Sequence, residues 1–157
     1  MPDVDRDRAD ETVVKEVFID APPSIVYGFI TESPKWMRWM GTEVDLDPRP
    51  GGIFRLVPNT TNVILGEFVE AVPYEKVVFT WGYEGEGHAV PAGSTVVEIT
   101  LKPDGAGTVL RLVHRNLTTL RDQHDFGWDH YVARLCIAAS GRDPGPDPYA
   151  DPSFQHG

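Results

Sequence analysis

Apolar and polar residues alternate with a period of two along most of this chain and switch to a helical period in three places. From Thr12, the stretch TVVKEVFID sets Val13, Lys15, Val17 and Ile19 against Val14, Glu16 and Phe18, and its β-branched residues predict a strand. Asp20-Ala21-Pro22-Pro23 ends it with prolines suited to a first helical turn. SIVYGFIT then places Ile25, Val26, Phe29 and Ile30 on one helical face, interrupted by Gly28, which predicts close packing there. Ser33 as N-cap and Pro34 as first residue open a second short helix, PKWMRWM. Trp36, Met37, Trp39 and Met40 point to nearly all its sides. So short a helix cannot bury them all in one direction, and some are expected to face a cavity, a lid or a partner.

Strand patterns follow. Glu43 to Leu46 is short, and Asp47-Pro48-Arg49-Pro50-Gly51-Gly52 turns it. IFRLVP opposes Phe54 and Leu56 to Ile53, Arg55 and Val57, and Asn59-Thr60-Thr61-Asn62 makes a polar hairpin loop. VILGEFVEAV turns at Pro73-Tyr74-Glu75 into KVVFTWGY, with Val77, Phe79 and Trp81 on one face. A loop rich in Gly and Glu runs from Gly82 to Gly93. STVVEITLK sets Val97, Ile99 and Leu101 against Glu98, Thr100 and Lys102, and PDGAG turns it into TVLRLVHRNL, where Leu110, Leu112 and His114 share a face. The last helix covers roughly 122–140, its apolar stripe formed by Trp128, Tyr131, Val132, Leu135, Ala138 and Ala139, with Gly141 as its cap.

Short turns require antiparallel neighbours, and one face of the resulting sheet must be covered. The predicted class is therefore α+β: a curved antiparallel sheet of about seven strands wrapped around a long C-terminal helix, with two short helices after the first strand. Residues 1–11 read as an acidic, solvated tail, residues 12–140 as one domain, and residues 141–157 as a Pro/Asp-rich tail expected to lie back on the domain through Tyr149 and Phe154.

The 157 residues suffice for one core without staples. A formal net charge of −10 argues against nucleic acid and against docking on anionic membranes. No apolar run approaches the roughly 20 residues that span a bilayer, so no membrane insertion is expected. No signal-peptide pattern is seen, and the cytoplasm is the expected compartment. Cys136 is the single cysteine and reads as a buried, inert thiol. His124 and His130 are spaced six apart, off the i, i+4 rule, and no metal motif occurs; no metal or other cofactor is expected. Ser94 lacks a nucleophile-elbow context, and PDGAG joins strands rather than opening a phosphate-binding helix.

The succession APPSIVYGFIT, PKWMRWMG, PGGIFRL, GEFVEAVPYEKVVFTW, STVVEITLKPDGAGTVLRLVH and Gly127-Trp128 resembles the START-like, helix-grip (SRPBCC) superfamily. Within it, the chain is similar to bacterial relatives of the C-terminal domain of the heat-shock-protein-ninety ATPase activator. The resemblance covers about residues 12–140. It implies a seven-stranded sheet gripping the last helix, with a cavity between them often used for lipophilic molecules. It does not supply a reaction.

Alternation brings Trp36, Trp39, Phe54, Phe79, Trp81, Leu112, His114, Trp128, Tyr131 and Leu135 to the walls of such a cavity, with one of Trp36 or Trp39 expected to close its mouth. His114 could orient a ligand or be satisfied within the core by Tyr131, Asp125 or backbone. His124 reads as a loop or cavity-mouth residue, and Glu67 as an edge or solvent position. Three functions stay open. The first is binding of a lipophilic or aromatic small molecule, without assigned catalytic residues. The second is an aromatase/cyclase-like or hydrolase enzyme using His114 with Tyr131 or Glu67. The third is a co-chaperone-type module presenting Trp36, Trp39 and the 82–93 loop as an exposed patch. A homodimer formed through a patch or sheet edge also stays open.

Overall fold

The computed structural model describes residues 11–58, 63–85, 87–118 and 120–147. The acidic head, the 59–62 loop, and Tyr149 and Phe154 lie outside the described residues. The elements run β1 (Val13–Ile19), α1 (Pro23–Phe29), α2 (Ser33–Trp36), β2 (Glu43–Leu46), β3 (Ile53–Val57), β4 (Ile64–Val72), β5 (Lys76–Trp81), β6 (Thr95–Asp104), β7 (Gly107–Arg115) and α3 (Arg121–Ala139). The seven strands form one antiparallel sheet in the order β1-β7-β6-β5-β4-β3-β2. Consecutive strands are neighbours throughout β2 to β7, as short turns require, while β1 crosses the chain to pair with β7.

Register carries the alternation across the sheet. Val13 faces His114, His114 faces Val97, Val97 faces Phe79, and Phe79 faces Phe68. All five are buried, so this row crosses the concave face from the β1 edge inward. A bulge between Phe68 and Glu70 bends β4 and turns Val69 outward. Gly66 permits the close approach of β4 to β5, since a Cβ there would sit 2.0 Å from the Thr80 carbonyl oxygen.

Helix α3 lies over the concave face with the predicted stripe buried beneath it. Lys15 of β1 reaches between Asp125 Oδ1 (2.8 Å) and Asp129 Oδ1 (2.7 Å) and clamps the first half of α3 to the sheet edge. Burial opposes the charge on Lys15, but the two carboxylates outweigh it and raise its pKa above the ordinary value. At the other end, Arg134 donates to the carbonyl oxygens of Trp39 (3.0 Å), Gly145 (2.9 Å) and Pro144 (3.3 Å). Together with a His130–Asp147 contact of 3.0 Å, this lays segment 142–147 back along α3. The helix closes at Gly141, whose φ of +92° lies in the left-handed region that favours glycine and whose N–H bonds the Ala138 carbonyl.

Three local expectations are corrected. Ser33 is the first helical residue rather than the cap, because its hydroxyl accepts the Leu46 N–H at 3.0 Å and so ties α2 to β2. Ile25 falls on the exposed shoulder of α1, which buries Val26 and Phe29. The second short helix is one turn long, and the chain leaves it by successive turns, so Trp36, Trp39 and Met40 all reach the interior while Met37 takes the solvent side.

Candidate functional site

The interior under α3 is walled by aromatic rings. Phe54 of β3 and Phe79 of β5 meet across β4, over Gly66, and stack with centroids 4.0 Å apart at 15°. Trp36 meets Phe54 edge-on at 5.5 Å and lies tilted against Trp39 at 4.5 Å. Trp81 contacts Phe54 at 5.9 Å and Trp128 of α3 at 5.2 Å. Leu112, Tyr131 and Leu135 are buried with them. Trp36 and Trp39 are both fully buried, so neither caps a mouth and no exposed patch forms from them. Trp39 is anchored by its indole N–H, which donates to the Phe29 carbonyl at 2.9 Å.

Two indoles differ from it. Trp36 Nε1 and Trp81 Nε1 are buried donors with no acceptor. Leaving such a group unsatisfied costs about 1–3 kcal/mol each, and orphaned buried donors are uncommon enough to call for an explanation.

His114 lies at the core of a closed relay. Trp128 Nε1–H donates to His114 Nδ1 at 3.0 Å. That places the imidazole proton on Nε2, which donates to Thr95 Oγ1 at 2.8 Å. The Thr95 hydroxyl donates in turn to the Trp81 carbonyl at 2.7 Å. Burial, with His124 beside it, lowers the His114 pKa well below the ordinary imidazole value, so the ring is neutral. Both ring nitrogens are occupied, which leaves no free lone pair for a base to use. The partners are Thr95 and Trp128, not Tyr131, Asp125 or Glu67, and Glu67 is exposed on β4.

A second polar pair adjoins the first. His124 sits buried in the first turn of α3, not in a loop, with its ring centroid 5.3 Å from that of His114. His124 Nδ1–H donates to the Leu120 carbonyl at 2.8 Å, so its Nε2 accepts from the Tyr83 hydroxyl at 3.1 Å. Burial lowers the His124 pKa, with His88 acting in the same direction and the Leu120 bond opposing. Burial pushes Tyr83 up to about 12. Trp81 N–H lies beside the Tyr83 oxygen and acts weakly the other way, without completing a hydrogen bond. Burial raises Tyr83 and lowers His124, so the proton stays on the Tyr83 oxygen. The pair is a neutral hydrogen bond.

The 82–94 loop holds Tyr83 in place. Tyr83 N–H bonds the Val90 carbonyl at 2.8 Å, and the Tyr83 ring stacks on His88 at 4.5 Å and 18°. Gly82 allows this fold-back, since a Cβ would sit 1.8 Å from the Pro91 oxygen. Where this loop meets the segment after β7, a groove of about 330 Å³ opens, lined by Glu11, Ala89, Val90, Pro91, Ser94, Thr95, Asn116 and Thr118. Asn116 and Leu120, in that same segment, adopt left-handed φ values of 70° and 61°.

Sequence reading missed Tyr83, His88 and Thr95. Two carried a signal: Thr95 continues the inward phase of Val97, Ile99 and Leu101, and Tyr83 that of Val77, Phe79 and Trp81. Their position in or next to a loop concealed it. Among the described residues no group of three or more His, Cys, Asp or Glu could hold a metal ion, and no helix is long and apolar enough to cross a membrane.

Residues 20–138 match the family model described as Activator of Hsp90 ATPase homolog 1-like protein. No curated protein matches the chain. Among solved structures, an AHSA1-like protein from Rhizobium etli is 38% identical, with 93% of this chain and 92% of that one covered and a TM-score of 0.69. CalU16 from Micromonospora echinospora is 26% identical, covering 83% of this chain and 76% of that one, with a TM-score of 0.67. Protein MLL2253 from Mesorhizobium loti, at 24% identity, covers 81% of this chain and 95% of that one with a TM-score of 0.72, a likeness of fold. The seven-stranded sheet closed over its last helix and the family match over most of its length agree, and the chain belongs to the Activator of Hsp90 ATPase homolog 1-like family.

Proposed function

We propose that this chain binds a small apolar or aromatic molecule between the concave face of the sheet and α3. Trp36, Trp39, Phe54, Phe79, Trp81, Leu112, His114, Trp128, Tyr131 and Leu135 are its proposed walls. The observation that carries this reading is the pair of buried indole donors without acceptors, Trp36 Nε1 and Trp81 Nε1, set in an aromatic lining. A core selected only for stability would pair or replace them. A flat ring against the Phe54–Phe79 stack, carrying an acceptor atom, answers both the apolar lining and the orphaned donors. A groove of about 330 Å³ lies beside Thr95 at the start of β6, lined by none of the ten wall residues, and the Thr95 hydroxyl links it to His114 within.

The ligand role of His114 in this reading is to shape and polarise the wall. With both nitrogens committed, the ring supports binding rather than acid–base chemistry.

The test is native mass spectrometry of protein purified from its own host, with tryptophan fluorescence during titration by lipids and aromatic metabolites. A bound metabolite, or saturable quenching, is expected. An unliganded mass together with fluorescence unmoved by every compound would overturn the reading.

A further inference from the structure

Strand β1 buries one side and leaves the other bare. Val13 and Ile19 face the core and Lys15 reaches α3, whereas Val14, Glu16 and Phe18 point outward, with Val14 46% and Phe18 55% exposed. Register sets each of these beside a residue on the outer side of β7: Val14 beside Val113, Glu16 beside Arg111, and Phe18 beside Val109. Val113 is buried but stands apart from the core cluster, as its outward phase requires. The Phe18 ring lies against Gly107, where an added Cβ would sit 2.4 Å from its Cζ, so the ring is held on the sheet instead of trailing in solvent. Glu16 and Arg111 are both exposed, and among the described residues neither side chain has an ion pair or hydrogen bond. The edge of β1 is taken up by α3, through Arg121 on the Thr12 carbonyl at 3.0 Å and the Cys136 thiol on the Phe18 carbonyl at 3.9 Å. The face, and not the edge, is open to a partner.

We infer that this outer strip of β1 and β7 joins a second copy of the chain, face to face, about a two-fold axis running along the strands between them. Packed sheets keep their strands aligned to within about 30°, which leaves two axes in the plane of contact. An axis across the strands would lay Glu16 on Glu16 of the second copy and Arg111 on Arg111, and like charges oppose it. An axis along the strands exchanges β1 with β7 at equal height. Glu16 then meets Arg111, Val14 meets Val113 and Phe18 meets Val109, each twice, so the register within one sheet doubles as the set of contacts between copies. A two-fold interface demands this self-complementarity. Each charge gains an opposite partner, and the apolar rows on either side of it leave water. Strand β1 is seven residues long, a strip roughly 23 Å in length at ~3.3 Å per residue. Two strands of that length make a small interface, under about 1,200 Å² in total, so the dimer is weak and reversible.

The experiment is sedimentation velocity of the full chain from micromolar to millimolar concentration. The net charge of −10 repels the copies at low salt, so the runs are made at about 0.15 M sodium chloride. The wild type is expected to shift from monomer to dimer as concentration rises. Glu16→Arg and Arg111→Glu should each weaken the dimer by about tenfold or more. An equimolar mixture of the two should recover it, because each variant carries the charge the other lacks. Phe18→Thr should weaken it by a similar factor without touching a charge. A wild type that stays monomeric throughout would overturn the inference, as would a dimer that all three variants retain or a mixture that fails to recover it. Circular dichroism checks the fold of each variant, and if either reversal fails to fold, Phe18→Thr decides the matter.

Discussion

Trp128 Nε1–H donates to His114 Nδ1 across 3.0 Å, and through this bond the last helix reads the protonation state of the sheet. A protonated His114 would carry hydrogen on Nδ1 and face the indole N–H donor with another donor. The contact therefore selects the neutral ring as well as joining the two layers of the domain.

Trp128→Phe keeps most of the ring and removes the donor. His114 Nδ1 is then buried without a partner, and the expected loss is about 1–3 kcal/mol. Urea unfolding followed by circular dichroism measures it. A midpoint equal to wild type would show that the relay contributes no stability.

The histidine pair sets an acid limit. Burial lowers both His114 and His124 below the ordinary value, so the unfolded chain binds more protons than the folded one as pH falls. Stability conferred by the neutral rings is complete above about pH 6.5 and is lost as pH falls toward their folded-state values. The slope reaches about 1.4 kcal/mol per pH unit for each ring, and the two titrate as a coupled pair because they touch. Urea midpoints between pH 7.5 and 5.5 should decline in the wild type and decline less in His124→Gln. Identical profiles would contradict the assignment.

Lys15 between Asp125 and Asp129 gives a salt-sensitive prediction. Lys15→Met retains the aliphatic stem and leaves two carboxylates without their shared cation. The expected cost is about 1 kcal/mol at low salt, because the lysine is half-buried while Asp125 is partly and Asp129 largely solvated. Thermal melts in low and high sodium chloride should show the gap narrowing as salt screens the pair. A gap unaffected by salt would assign the effect to packing.

Arg134 holds several carbonyl oxygens with one planar guanidinium. Lysine keeps the charge but loses the fork, so Arg134→Lys should release segment 142–147 before it melts the domain. Hydrogen exchange of that segment should quicken by about tenfold or more, while the exchange of β6 and β7 stays slow. Uniform acceleration across the sheet would place Arg134 in global rather than local stability.

Much of the architecture was legible in the chain. The period-two alternation in β3, β5, β6 and β7 assigned Phe54, Phe79, Val97 and Leu112 to the inner face, because a pleated strand puts every second side chain on one side. The stripe on α3 identified Trp128, Tyr131 and Leu135 in the same way. The resemblance to the helix-grip superfamily supplied the cover of the sheet, and the family match agrees with it. Where local reading failed, a contact from far along the chain was responsible. Ser33 gave its hydroxyl to Leu46 instead of its own helix. His124, expected as a loop or cavity-mouth residue, lies in the first turn of α3, where Tyr83, 41 residues earlier, hydrogen-bonds its ring.

By itself, the sequence determined which residues face inward, since burial follows a period that is local and repeats along each element. Only the tertiary structure decided what those residues do to one another. Thr95, His114 and Trp128 share a relay, and Trp81 keeps a bare donor beside Tyr83, because sheet register and a folded-back loop bring together atoms that no spacing along the chain relates. Hydrogen bonds depend on distances of a few tenths of an ångström and on angles, and these are settled only when the layers close.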